Sequence, residues 1–202
     1  MLYDLIIIGG GPAGTAAGVY AARKRLKTLF ITKEFGGQSV VSFDIQNWIG
    51  TPHISGDNLA KAFKSHLEEY AGEFLTITSN ATVSTLVKSE NGHTATTHKD
   101  EQNEGKSILI ATGADRRRLT APDADEFEHK GLPYCASCDG PLFSDMDVVV
   151  IGGGNAGFEA ASQLLAYCKS VTLLDRSDEF KADPVTVEKV LAAKGAKVNG
   201  FA

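Results

Sequence analysis

YDLIIIGGGPAG, residues 3 to 14, decides the fold. Tyr3 to Ile8 is a short apolar run of the kind that forms a buried parallel strand. It passes directly into a turn where Gly9, Gly11 and Gly14 match the spacing G-x-G-x-x-G, with Pro12 and Ala13 between the last two. A helical pattern follows from about Ala13 to Lys24. Strand, glycine turn and helix in that order are the context a dinucleotide-binding turn requires. The first glycine permits the tight turn, and the second lets the backbone approach a pyrophosphate. The third, with Gly18, brings the helix close to the sheet. The pyrophosphate then rests on the helix N-terminus, where free N–H groups and the helix dipole favour an anion.

The same unit occurs a second time. Asp147 to Ile151 (DVVVI) is another buried-strand run, and it enters GGGNAG, with Gly152, Gly154 and Gly157 at the fingerprint positions around Asn155 and Ala156. A helical pattern runs from about Asn155 to Ala166, then a strand from Ser170 to Asp175 (SVTLLD). One such turn is a weak signal, since any βα unit can carry glycines. Two copies in the same context predict an α/β chain of two Rossmann-like dinucleotide-binding domains, one for a flavin and one for a nicotinamide dinucleotide. A carboxylate at the end of the second strand of each unit accepts the ribose hydroxyls. Asp175 fills that place in the second copy and Glu34 is the nearest carboxylate in the first.

The remaining composition narrows the function. The chain has 202 residues, 43% hydrophobic and 22% charged, with a formal net charge of −5. That balance excludes a nucleic-acid surface as the main business, which needs a concentrated basic face. The one basic run, Arg116 to Arg118, is followed by Asp123, Asp125, Glu126 and Glu128 and reads as a solvated hinge. The N-terminus lacks the basic segment and the long apolar run of a signal peptide. No stretch has the eighteen or so apolar residues of a membrane helix. A cytoplasmic location is the default expectation. Three cysteines in such a chain point to redox or metal chemistry rather than structural bridges.

Between the two glycine turns, residues 57 to 70 repeat apolar positions at helical spacing, with Leu59, Ala62, Phe63 and Leu67 on one face and Gly72 as the stop. Three strand-like segments follow, Ala81 to Val87, His93 to His98 and Lys106 to Ala111, the first two joined at Asn91-Gly92. They suggest a β-meander inserted in the first domain. The last strand closes in Ala111, Thr112 and Gly113, small residues that let backbone approach a cofactor or simply leave the sheet.

LPYCASCDGPLF, residues 132 to 143, places Cys135 and Cys138 in C-x-x-C spacing. Such a pair can be a redox disulfide, half of a zinc site, or two inert core side chains. Zinc needs two further ligands, and Cys168 with His53, His66, His93, His98 and His129 are the candidates; none is spaced as a second metal knuckle. Cys168 reads as a small buried side chain within a helix. No metal site is expected. A C-x-x-C turn lowers thiol pKa and closes readily to a disulfide, and Asp139 beside it can exchange a proton with a thiol or merely cap a turn.

Taken together, GGGPAG, FGGQ (35–38), IQNWIG (45–50), ATGA (111–114), YCASCDGPLF and GGGNAGFEAA (152–161) appear in the order found in low-molecular-weight thioredoxin reductases and the flavoprotein subunit of bacterial alkyl hydroperoxide reductase. The chain resembles that class II branch of the pyridine nucleotide-disulfide oxidoreductases over essentially its whole length. The resemblance implies two domains of the three-layer ββα kind, residues 1–115 for FAD and 116–202 for NAD(P), each incomplete at its C-terminal side. It implies FAD contacts from Gly9, Gly11, Pro12, Ala13, Gly14, Glu34, Gly37, Gln38, Asn47, Val83, Ala111, Thr112 and Gly113. It implies nicotinamide-nucleotide contacts from Gly152, Gly154, Asn155, Ala156, Gly157, Asp175 and Arg176. Cys138 would face the flavin, Cys135 would attack the disulfide of a thioredoxin-, glutaredoxin- or peroxiredoxin-type partner, and Asp139 would be the acid catalyst. The domains would rotate about residues 113–118, and the full-length protein would be a homodimer. Members that use NADPH carry H-R-R-x-x-x-R where this chain has Asp175, Arg176, Ser177 and Lys181. The carboxylate favours NADH, while Arg176 and Lys181 leave NADPH open. The rival readings are a ferredoxin- or flavodoxin-linked reductase on the same fold, which lacks the cysteine pair, and a non-catalytic remnant.

Overall fold

A computed structural model describes residues 1–90, 92–114, 117–128, 130–177 and 179–200, with residues 199 and 200 as backbone only. Asn91 of the hairpin signal, Arg116 of the basic run and hinge, and His129 among the zinc candidates lie outside the described residues. The chain divides into two compact units, Met1–Arg118 and Leu119–Ala202.

In the first unit, β1 (Leu2–Gly10), α1 (Pro12–Arg23) and β2 (Thr28–Phe35) follow one another as the glycine pattern predicts. A 3₁₀ turn (Gly37–Val41) leads to α2 (Gly56–Glu68), then β3 (Leu75–Thr78), β4 (Val83–Ser89), β5 (Gly92–Thr97) and β6 (Gln102–Ile110). The six strands form one sheet in the order β3-β2-β1-β6-β5-β4. β3, β2, β1 and β6 run parallel, and β4-β5-β6 is the antiparallel meander. β6 belongs to both: Gly105 pairs with Tyr3 of β1 and with His93 of β5.

Side-chain alternation in β1 and β2 builds two cores, because successive residues of a strand point to opposite faces. Ile7 and Phe30 join Val19, Ala22 and Leu67 on the helix side. Ile6, Ile8, Leu29 and Ile31 join Ala81 and Ala95 on the meander side. The result is three layers: helices, parallel sheet and meander. α1 sits close to its neighbours at Gly18, where a Cβ would come within 2.6 Å of Leu67 Cδ1 and 3.2 Å of the Phe30 ring. On α2 the buried stripe is Leu59, Ala60, Phe63 and Leu67, whereas Ala62 is exposed. Ala60 replaces it because the backbone at Gly36 packs on that flank. β3 is not apparent in the sequence: at four residues it is too short to show a period, and only its pairing with β2 defines it.

In the second unit two short helices, α3 (Ala124–Phe127) and α4 (Ala136–Asp139), and a 3₁₀ turn (Gly140–Phe143) precede β7 (Asp147–Ile151), α5 (Asn155–Leu164), β8 (Ser170–Asp175), α6 (Pro184–Leu191) and β9 (Ala196–Gly200). The strands form a parallel sheet, β7-β8-β9. Val148, Val150, Val171 and Leu173 pack on Phe158, Ala161, Leu164 and Val190. The alternate residues of β7, Val149 and Ile151, are exposed.

Cys168 is not within a helix. α5 ends at Leu164, and Cys168 lies in the turn that leads to β8, its N–H donating to the Leu164 carbonyl oxygen at 2.8 Å. It is half-buried beside the core of this unit, and burial pushes its thiol pKa up.

Candidate functional site

The two glycine turns have the same geometry. Gly9 has φ of 120° and Gly152 has φ of 114°, a region that only glycine enters without strain. A Cβ on Gly14 would fall on the carbonyl oxygen of Gly9, and one on Gly157 would fall on that of Gly152. Gly11 and Gly154 are extended N-cap residues with no side-chain cap, and neither α1 nor α5 has an acidic residue in its first turn. By contrast, Ser55 caps α2 and Asp183 caps α6 with their own oxygens. Among the described residues no side chain caps the first turn of either fingerprint helix, an arrangement that suits an anionic acceptor. Both turns therefore fit a dinucleotide pyrophosphate.

The middle glycine of each GGG, which the fingerprint leaves unspecified, lies against the end of the following strand. A Cβ on Gly10 would strike the Glu34 carbonyl oxygen and the Thr32 hydroxyl, and one on Gly153 would strike the Asp175 carboxylate. This is a signal the spacing rule passes over, although the third consecutive glycine is visible in both copies.

Around the first turn the structure gathers several of the expected residues. Gly9 meets the backbone of Ala111 and Thr112, and the Ala111 N–H donates to the Ile8 carbonyl at 2.8 Å. Gly37 brings its backbone against Gly11, where its Cβ would be 3.3 Å from the Gly11 Cα. Gly36 donates to the Gly10 carbonyl at 2.9 Å, which holds FGGQ beside the fingerprint and places Gln38 in the adjoining 3₁₀ turn. Glu34 is exposed at the end of β2, next to Phe35, which pairs with Gly10. Val83 and Thr112, far apart in sequence, share with Ile8, Ser84 and Ile110 the wall of an open depression of about 180 Å³. Gly113 follows with φ of 67° and open space about it. Asn47 stands exposed on the loop beyond the Ile45–Ile54 bridge. That loop is also closed by His53 Nδ1 and Asp44, 2.9 Å apart; this contact and Gln46 hold the Asp44 carboxyl below the ordinary range.

In the second unit Asp175 ends β8 with its carboxylate already oriented. One oxygen accepts the Arg176 N–H at 2.8 Å and the other faces the Ser177 hydroxyl at 3.2 Å. Asn155, expected to touch nucleotide, uses its side-chain oxygen to accept the Asp183 N–H at 2.7 Å, joining the start of α5 to the start of α6. Its NH₂ group and the adjacent Ala156 remain at the turn. The Arg176 side chain is exposed.

Cys135 and Cys138 form a disulfide, with Cα atoms 5.3 Å apart. Cys135 is the N-cap of α4, and its sulfur accepts the Cys138 N–H at 3.2 Å. The Asp139 N–H donates to the Cys135 carbonyl at 3.0 Å. Both cysteines are half-buried. Tyr134, immediately before them, accepts the Leu119 N–H at 3.2 Å. Among the described residues, no three His, Cys, Asp or Glu side chains come together to hold a metal, and no helix is long and apolar enough to cross a membrane.

Two dinucleotide-type units, with a C-x-x-C disulfide in the second, are the layout of a nucleotide-linked disulfide oxidoreductase. The chain belongs to the pyridine nucleotide-disulphide oxidoreductase family, whose sequence profile matches residues 3–199. It is 39% identical to an alkyl hydroperoxide reductase subunit of Escherichia coli over 196 residues, covering 97% of this chain and 38% of that protein. The thioredoxin reductase structure from Streptococcus pyogenes superposes with a TM-score of 0.85 at 34% identity, covering 98% of this chain and 64% of that one. Thioredoxin reductase from Giardia duodenalis gives a TM-score of 0.89 at 30% identity, over 98% and 63%. The chain thus spans less than two thirds of the length of each of these relatives.

Proposed function

We propose that this chain is the nucleotide-binding and redox-active part of a flavin-dependent disulfide reductase. Bound FAD and a nicotinamide nucleotide would supply electrons to the Cys135–Cys138 disulfide, which would hand them on to a disulfide of a thioredoxin-, glutaredoxin- or peroxiredoxin-type protein. The observation that carries this reading is the cysteine disulfide within the same compact unit as the second glycine turn.

The first unit would hold FAD, with Gly9, Gly11 and Gly14 at the pyrophosphate and Gly37, Gln38, Val83, Thr112 and Gly113 around the rest. The second would hold the nicotinamide nucleotide through Gly152, Gly154, Gly157 and Asp175. A carboxylate at Asp175 accepts hydrogen bonds from ribose hydroxyls and repels a 2′-phosphate, which favours NADH over NADPH.

When bound, the two nucleotides supply the pair of electrons that opens the S–S bond. The cysteines do the rest. Cleavage leaves Cys135 and Cys138 as a dithiol, and in the disulfide form the Cys138 N–H points at the Cys135 sulfur. The Cys135 thiolate attacks one sulfur of the partner disulfide and displaces the other, which takes a proton. Cys138 then displaces the partner from the mixed disulfide, restoring the Cys135–Cys138 bond and releasing the second partner thiol. The partner gains two electrons and two protons. Asp139 is assigned the proton exchange.

Cys135→Ser tests the assignment. It should abolish reduction of a protein disulfide while flavin reduction by the nicotinamide nucleotide continues; intact turnover would refute it. Purified chain that binds no FAD would refute the flavin reading itself.

A further inference from the structure

The cysteine turn is fastened to the last turn of α5, the helix whose first turn carries GGGNAG. Ser137, between the two cysteines, donates its hydroxyl to Oε1 of Gln163 at 2.9 Å. On either side of that bond, Ala136 packs against the Phe158, Ala161 and Leu164 cluster. Gly140 lies against Leu164, where a Cβ would be 3.4 Å from Cδ2. Gln163 itself is exposed, so its contact with Ser137 is not a by-product of core packing.

We propose that Gln163 is a positioning residue for the cysteine pair, holding Ser137 so that the two sulfurs remain placed to rejoin. The inference rests on the redox reading above. α4 is four residues long, and a helix of one turn does not hold its shape in water unaided. In the disulfide form the S–S bond closes the turn. In the dithiol form that closure is gone, and the bond to Gln163 opposes opening. A contact that keeps the thiols together raises the effective concentration of each at the other and so favours the disulfide. Without it the equilibrium moves toward the dithiol. For an exposed neutral hydrogen bond the shift is about threefold, or about 14 mV for this two-electron couple.

The test uses the whole chain in glutathione buffers of graded ratio. Two glutathione thiols reduce the Cys135–Cys138 disulfide to two thiols and leave as glutathione disulfide, so the reaction balances. Alkylation followed by peptide mass reads Cys135 and Cys138 separately from Cys168. Gln163→Leu should move the equilibrium about threefold toward dithiol. Ser137→Ala should do the same, the double variant should go no further, and Ser137→Thr, which keeps the hydroxyl, should behave as wild type. An unchanged constant in Gln163→Leu and Ser137→Ala overturns the proposal, as do strictly additive effects in the double variant. If the wild-type cysteines never exchange with glutathione across the range, the redox reading fails first and the positioning role falls with it.

Discussion

A Cβ on Gly153 would stand 2.5 Å from Oδ2 of Asp175, so the middle glycine of the second turn is what leaves room for that carboxylate. Gly153→Ala must push Asp175 off its place, and Asp175→Ala removes the acceptor altogether. Hydrogen bonds to a charged group are worth about 1.5–3 kcal/mol. Each variant should therefore weaken NADH binding by about tenfold or more, read by titrating nucleotide fluorescence. Wild-type chain should bind NADH more tightly than NADPH, and Asp175→Ala should narrow that gap. Equal NADH affinity in wild type and Asp175→Ala would remove Asp175 from the ribose site.

The two glycine turns can be told apart by the same substitution. Gly14→Ala and Gly157→Ala each force a methyl group onto a backbone carbonyl oxygen. Overpacking of this kind costs about 1–3 kcal/mol, and it displaces the helix that starts at the glycine turn. Gly14→Ala should lose flavin absorbance and keep nicotinamide binding. Gly157→Ala should do the reverse. The opposite pattern would exchange the nucleotides assigned to the two units.

Phe158 is fully buried and meets Phe180 edge-on with ring centroids 5.0 Å apart. Phe158→Ala should cost about 3–5 kcal/mol, a large share of the stability of so small a unit. Trp48, the one tryptophan, reports on the first unit. Its fluorescence transition in denaturant should stay in place while far-UV ellipticity gains an earlier step. A shared shift of both signals would mean that the units unfold together.

Asp147 opens β7, where its carboxylate accepts the Ser170 hydroxyl at 2.6 Å and the Lys169 ammonium at 3.0 Å. The Ser170 bond first, then Lys169, holds its pKa below the ordinary aspartate value. A carboxyl depressed in the folded state contributes stability above its unfolded pKa, about 3.9, and loses it as pH falls through the folded value. Asp147→Asn should therefore lower Tm at neutral pH, and the difference should close as the medium is acidified below about pH 4. A gap in Tm that does not narrow as the pH is lowered through the acid range would assign the effect to something other than charge.

Elements written in a short local pattern are legible before folding. A strand pattern that turns into helix at three glycines spans a dozen residues, so β1, α1, β7, α5 and β8 can be read directly, as can Cys135 and Cys138 as a candidate pair. Elements that depend on a distant partner cannot. β3 exists because β2 offers it an edge. Ala60 rather than Ala62 is buried because Gly36 packs there, and Cys168 leaves the helix because α5 stops at Leu164.

The sequence by itself determined that there are two glycine turns of one design and a cysteine pair in C-x-x-C spacing, since each is a short-range pattern that backbone sterics and thiol chemistry make meaningful. Only the tertiary structure decided what those turns touch. It set Ala111 and Thr112 against Gly9, Asp175 against Gly153, and Ser137 on Gln163. These meetings depend on parallel strand register and helix packing across long loops, and no spacing along the chain encodes the distance between side chains that folding alone brings together.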